Sequence, residues 1–420
     1  MKLRRVVVTG LGTVSPLGND VPTTWENAVN GVSGAGPITR FDSYLFKTQF
    51  ACEVKGFDPV LSMDRRDLRK VDVDTHYGVA SAVEAIADSA IDFEKVDCNR
   101  VGVIYGEGIG GLNALEDEVK AYAVNQENGP RFSPFIITKM ISDMTAGIIS
   151  IRYGLKGPNY VTTSACASSS NAIIDAYDQI RLGRADIIVA GGAEAAICPT
   201  GVGGFNAMHA LSTRNDDPKG ASRPFSKSRD GFVMAEGAAT LILEEYEHAK
   251  ARGAKIYAEL VGTGLTADAY HITAPHPEGE GAMRVMKMAI DEAGLPLESV
   301  DYINVHGTST YAGDIAEAKA IKNLFGQHAY ELNISSTKSV TGHLLGAAGA
   351  IEALLTVLAL KNDIVPPTMN HADGDEDPEI DYRMNFTFNK AQERTINVAL
   401  SNTFGFGGHK ASIVFKKIEG

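Results

Sequence analysis

The chain is short of cysteine, tryptophan and basic charge. Its 420 residues hold four cysteines and one tryptophan. Cys52, Cys98, Cys166 and Cys198 show no CxxC spacing, and a chain this long needs no covalent staples. That usage points to a reducing compartment, where a special cysteine is reactive and not bridged. HExxH and paired Cys–His spacings are missing as well, so no metal is expected. Lys and Arg total 39 against 52 Asp and Glu, a net charge of −13, the wrong balance for a nucleic-acid partner. No signal peptide is expected: Met1-Lys-Leu-Arg-Arg5 is basic, but the apolar run Val6 to Val8 ends at Thr9-Gly10 and reads as a first strand. The longest apolar stretch, Leu344 to Leu360, carries small residues and Glu352 and falls short of a membrane span. A soluble, cytoplasmic protein without membrane contact is expected.

What the chain has in excess is glycine: 43 residues, roughly 10% against the usual ~7%. They lie scattered among apolar segments and suggest tight strand-to-helix turns. Val6–Thr9, Val101–Tyr105, Ile187–Ala190 and Tyr302–Val305 read as buried strands. Asp74–Ser89, Ser169–Leu182 and Met283–Ala293 carry apolar residues at helical spacing. The alternation predicts α/β layering, and with no Pro/Ser-rich linker the domains pack tightly. Two stretches echo each other in order. Val7-Val-Thr-Gly-Leu-Gly12 returns as Leu260-Val-Gly-Thr-Gly-Leu265. Tyr160 to Asn171 and Ile334 to His343 both run from a strand through small residues into a helix. They predict two related halves, 1–252 and 253–420, against the alternative that any two α/β segments look alike.

Several residues stand out chemically. Thr163-Ser-Ala-Cys166-Ala-Ser-Ser169 sets a cysteine among small residues where a strand turns into a helix, the setting of a nucleophile elbow. A helix N-terminus there favours a thiolate, whose unperturbed pKa is ~8.5. The competing reading is a small buried hydrophobe. His306, in Asn304-Val-His306-Gly-Thr-Ser-Thr310, and His343, in Thr337-Lys-Ser-Val-Thr-Gly-His343, lie at loops in one half, where α/β proteins place sites. Asn402-Thr-Phe404-Gly-Phe406-Gly-Gly408 suggests a mobile loop whose aromatics plug a pocket, or a plain turn. Gly106-Glu-Gly-Ile-Gly-Gly111 fits GxGxxG, but Glu107 stands where a pyrophosphate would approach, and dinucleotide binding is rejected.

Cys166, His306, Lys338, His343 and Phe404-Gly-Phe406-Gly-Gly form one ordered set. Through it the chain resembles the elongating β-ketoacyl-acyl-carrier-protein synthases, from Val6 to Phe415. The resemblance implies a thiolase-like fold, two duplicated halves in a five-layered αβαβα arrangement, and a homodimer. It implies acyl transfer to Cys166 and decarboxylative Claisen condensation with a malonyl thioester on an acyl carrier protein, in fatty-acid elongation. It brings no cofactor beyond the phosphopantetheine arriving on the carrier. A ketosynthase of a polyketide, aryl-polyene or other specialised lipid pathway, or a non-catalytic chain-length partner, are the alternatives.

By the same resemblance His306 and His343 donate N–H groups to the enolate oxygen, and Lys338 orients them with Glu352 as its possible partner. The backbone of Cys166 and Phe404 forms a second oxyanion hole. Ile109, Phe135 and Phe205 line the acyl pocket, with Ile109 as the gate, and Thr308 and Thr310 hold the phosphopantetheine arm. The carrier is acidic, so docking needs a local basic patch. Arg66, Arg69 and Lys70 are the candidates, with Asp64, Asp67 and Asp72 making a solvated helix face the rival. Among departures from the family pattern, His409-Lys410 replaces the usual polar pair after Phe406-Gly-Gly.

Overall fold

A computed structural model describes residues 3–418. Ten strands form one sheet: β1 (Val6–Val14), β2 (Val101–Gly106), β3 (Asn159–Thr162), β4 (Ile187–Glu194), β5 (Gly237–Glu245), β6 (Ala258–Ala267), β7 (Tyr302–Asn304), β8 (Asn333–Ser335), β9 (Val398–Phe404) and β10 (His409–Lys416). Their spatial order is β8-β7-β9-β10-β6-β1-β5-β4-β2-β3. Within each half the order is third, second, fourth, fifth, first. The first three of these run parallel and the last two join antiparallel in both halves. The halves meet where β1 pairs antiparallel with β6, Val6 opposite Leu260.

Six helices complete the layers: α1 (Val73–Ser89), α2 (Met144–Tyr153), α3 (Ser168–Arg181), α4 (Glu280–Ala293), α5 (Tyr311–Phe325) and α6 (Ala348–Asn362). Helices α3 and α6 touch each other and strands of both halves, so they form the central layer. Helix α1, with α2 beside it, covers the outer face of one half and α4, with α5, the other. This is the five-layered, thiolase-like arrangement. Both sequence echoes fall on equivalent strands, β1 with β6 and β3 with β8.

The echoed glycines serve packing, not turning. Strand β1 continues through Val14 instead of ending at Thr9. A Cβ on Gly10 would stand 2.3 Å from the Ala85 carbonyl oxygen, and one on Gly12 2.0 Å from that of Ser81, both in α1. Gly262 and Gly264 of β6 face α4 in the same way, at 2.2 Å from Ala289 and 2.3 Å from Val285. Each half thus seats its outer helix on a bare stretch of strand. Segment Leu345–Asn362 corrects a second expectation, because by length and hydropathy it reaches the minimum for a membrane span. Its residues are packed between the two halves, with every residue from Ala348 to Leu360 buried.

Candidate active site

The connection from β3 to α3 bends sharply: Ala165 takes a φ of +52°, an uncommon conformation for a residue with a Cβ. The bend lifts Cys166 to the floor of a cavity of about 370 Å³, where it is 9% exposed. Among the described residues no backbone carbonyl accepts from the N–H of Cys166. Gly405 lies against this elbow, and a Cβ there would stand 2.7 Å from the Ser164 oxygen and 3.2 Å from the Cys166 nitrogen. The gate-loop glycines therefore let one backbone rest on another. Contrary to the expected thiolate, burial pushes the Cys166 thiol up to about 12, with the Lys338 charge pulling it back. Among the groups around the thiol, burial is the largest influence.

His306 and His343 line the same cavity, their rings edge-to-face with centroids 5.4 Å apart. Burial, followed by the Lys338 charge, holds both well below the usual imidazole range, so both are neutral at pH 7. The Nδ1 atom of each is buried without a hydrogen-bond partner. Their backbones are fixed instead. The N–H groups of His306 and Gly307 donate to the Glu317 carboxylate on α5 at 2.9 and 2.8 Å. The His343 N–H donates to the Val233 carbonyl at 2.8 Å. Phe404, Ile109, Phe205, Thr308 and Thr310 also line the cavity. The Phe404 ring lies 5.6 Å from that of His306, and the two threonine hydroxyls bond each other at 2.9 Å.

Five candidates fall elsewhere. Lys338 is buried in an ion pair with Glu352, outside the cavity lining, so its charge reaches the histidines through space and not by contact. Phe135, expected at the acyl pocket, precedes the short helix Ile136–Met140 at the surface, is 37% exposed and does not line the cavity of its own chain. Around it Phe132, Ile137 and Ile141 are exposed as well. Arg66, Arg69 and Lys70 lie exposed on and after a four-residue helix, with Lys70 already engaged by Asp67 at 2.7 Å.

Sequence reasoning missed two carboxylates of the cavity wall, Glu317 and Glu194, and the buried Lys410–Asp268 ion pair, 2.6 Å long. A charged residue closing an otherwise apolar strand, as Glu194 closes Ile187–Ala193, was the available signal. The departure at Lys410 was another. Burial pushes both Glu194 and Glu317 up to about 7 against the N–H groups they accept from. Among the described residues no cluster of three or more His, Cys, Asp or Glu is placed to hold a metal ion.

The family model for the β-ketoacyl synthase N-terminal domain matches residues 3–249, and that for the C-terminal domain residues 257–372. The chain belongs to the β-ketoacyl synthases. It is 49% identical over the full length of both chains to 3-oxoacyl-[acyl-carrier-protein] synthase 2 of Coxiella burnetii. A crystal structure of a β-ketoacyl synthase from Burkholderia phymatum superposes with a TM-score of 0.91 at 35% identity, covering 99% of this chain and all of that one. A ketosynthase of a type II polyketide system, solved with its acyl-carrier protein and bound to a hexaketide, gives 0.90 at 33%, with 99% and 100% covered. The β-ketoacyl synthase scaffold therefore carries Cys166 on its first half and both cavity histidines on its second.

Proposed function

We propose that this β-ketoacyl synthase extends acyl chains in fatty-acid synthesis, joining an acyl group on Cys166 to a malonyl unit delivered by an acyl carrier protein. The observation that carries the reading is the convergence of Cys166, His306 and His343 on one cavity. The full-length match to 3-oxoacyl-[acyl-carrier-protein] synthase 2 supports fatty-acid elongation over a specialised pathway, and the neighbour solved with its carrier supports the partner.

The chemistry follows from the groups present. Thioester exchange onto a sulfur nucleophile is nearly isoenergetic, and the proton lost by Cys166 is the one the departing phosphopantetheine thiol takes up. A thiol pushed to about 12 therefore needs no net base, only transient help from Lys338 and the N-terminus of α3. Decarboxylation breaks the malonyl C–C bond, releases CO₂ and leaves the electron pair on an enolate. Two neutral imidazoles at this spacing can each donate an N–H to the enolate oxygen, in a pocket where such bonds are strong. The enolate carbon attacks the acyl-Cys166 carbonyl, the backbone N–H groups of Cys166 and Phe404 receive the new oxyanion, and Cys166 leaves as thiolate and regains one proton from solvent. Thr308 and Thr310 hold the phosphopantetheine arm, the only prosthetic group in this scheme. Ile109 and Phe205 shape the acyl pocket, and Arg66, Arg69 and Lys70 meet the carrier.

A homodimer fits the surface. Strand β3 is a free edge of the sheet, and the neighbouring segment exposes Val119, Phe132, Phe135, Ile137 and Ile151. Phe135 can then join an acyl pocket only through a second copy. The two halves divide at 252/253, and four unbridged thiols agree with a cytoplasmic enzyme.

Intact-mass spectrometry with a series of acyl-carrier thioesters tests the reading. Native protein gains one acyl group and Cys166→Ala none, and malonyl-carrier then releases a β-ketoacyl product. A folded native protein that takes up no acyl group at any length contradicts it.

A further inference from the structure

Glu194 has no task in the condensation scheme, yet it is fully buried in the cavity wall. Its Oε2 accepts from the N–H of Gly108 and of Gly346, each at 2.9 Å, and its Oε1 from the N–H of Ile109 at 3.2 Å. The first loop follows β2 in one half, whereas the second continues from His343 in the other. The loops come this close only because both present glycine. A Cβ on Gly346 would stand 2.1 Å from the Gly108 nitrogen and 2.7 Å from Glu194 Oε2, and one on Gly108 would stand 2.7 Å from the same oxygen. Ile109, by contrast, is 40% exposed and lines the cavity.

We propose that Glu194 is a positioning residue for chain-length selection: its carboxylate fixes the backbone beneath Ile109 and ties it to the His343 loop. The inference rests on the condensing reading of the cavity. Acyl chains that reach past Ile109 must then move a side chain against a fixed backbone, and that backbone is braced by the half that carries the histidines. Three N–H donors converge on one carboxylate, and bonds to the ionised group are charge-assisted. An amide of the same size offers one accepting oxygen, so Glu194→Gln turns its NH₂ toward at least one of the three donors. The backbone under Ile109 then yields, and long chains gain on short ones.

The test measures acylation rates of Cys166 by intact mass with carrier thioesters of increasing length. It compares native protein, Glu194→Gln, Ile109→Ala and the double variant. Glu194→Gln is expected to raise the long-to-short rate ratio about tenfold, the effect of one such bond. The shift is expected to vanish once Ile109 is already alanine. A uniform change at all lengths, or an equal shift in the Ile109→Ala background, overturns the proposal. Native enzyme that accepts no acyl group refutes the condensing reading instead, which is a separate outcome. If Glu194→Gln does not fold, amide hydrogen exchange of the native protein decides. The N–H groups of Gly108, Ile109 and Gly346 are expected to be protected to the same degree, since they share one acceptor, and fast exchange at any of them overturns the clamp.

Discussion

The loops after β2, β3 and β4 in the first half correspond in the sheet order to those after β7, β8 and β9 in the second, and the two sets carry different chemistry. The first set bears Ile109, Cys166 and the strand-ending Glu194, and the second bears His306, His343 and the strand-ending Phe404. One device recurs in both. A buried carboxylate, Glu194 or Glu317, gathers two successive backbone N–H groups of the loop after the second strand, and burial pushes each to about 7. Duplication thus explains why three loops from each half meet over the central helices. The residues placed on them explain the division of labour. On the proposed condensing reading, the first half holds the acyl chain, covalently and by shape, and the second half supplies the donors for carbanion chemistry.

Charge is where this comparison can be broken most forcefully. In the second half Lys338→Ala leaves Glu352 buried without its partner, and the expected loss is about 3–5 kcal/mol, read from denaturant unfolding at pH 8. The loss shrinks at lower pH as Glu352, already pushed up to about 7, takes a proton. A loss below 1 kcal/mol, by the scale of exposed pairs, would show that the pair does not act as a buried ion pair.

The packing symmetry is the next target. Gly10→Ala and Gly262→Ala drive a methyl group into equivalent helix backbones, so each is expected to cost about 1–3 kcal/mol. A large loss at one site and none at the other would mean that the halves are not seated alike.

In the first half, removing a charge is expected to help. Asp74 is buried near Glu107, and burial pushes it to about 7, well above an unfolded Asp. The folded state therefore keeps a proton that the unfolded chain has lost, and stability falls as pH rises from about 4 to 7. Asp74→Asn is expected to gain on the order of 1 kcal/mol at pH 8. At pH 4 it gains nothing, and an equal gain at both pH values would assign the effect to packing. The smallest effect belongs to the docking surface. Arg66→Ala with Arg69→Ala is expected to slow carrier association a few-fold at low salt and little at high salt, with kcat unchanged. Rates insensitive to salt would make this helix a solvated face.

The repeat and the elbow that carries Cys166 were legible because each depends on local pattern. Small residues around Cys166 demand the elbow, and the paired glycines of Gly10-Leu-Gly12 and Gly262-Thr-Gly264 mark equivalent strands. The purpose of those glycines was not legible, since a strand glycine facing a helix and a turn glycine look alike until the helix is in place. The thiol was misjudged for a similar reason. The helix N-terminus is visible in the sequence, but the residues that share the cavity with the thiol, such as His306, His343 and Phe404, lie far along the chain. Phe135 could not be placed because a single residue carries no sign of whether it lines a cavity or stands exposed at the surface, as it does here. Glu317 was missed because its partners are backbone N–H groups, which leave no mark on residue identity, and Glu194 offered only its place at the end of an apolar strand.

The division of labour is tested most directly by single-turnover mass spectrometry on His306→Ala, following acyl transfer to Cys166 and then β-ketoacyl release after malonyl-carrier is added. The expected result is an acyl-enzyme formed at close to the native rate and a condensation step slowed about 10²–10³-fold, the cost of one lost oxyanion donor. Equal slowing of both steps would contradict the account, because it would place His306 in service of the nucleophile and not of the enolate.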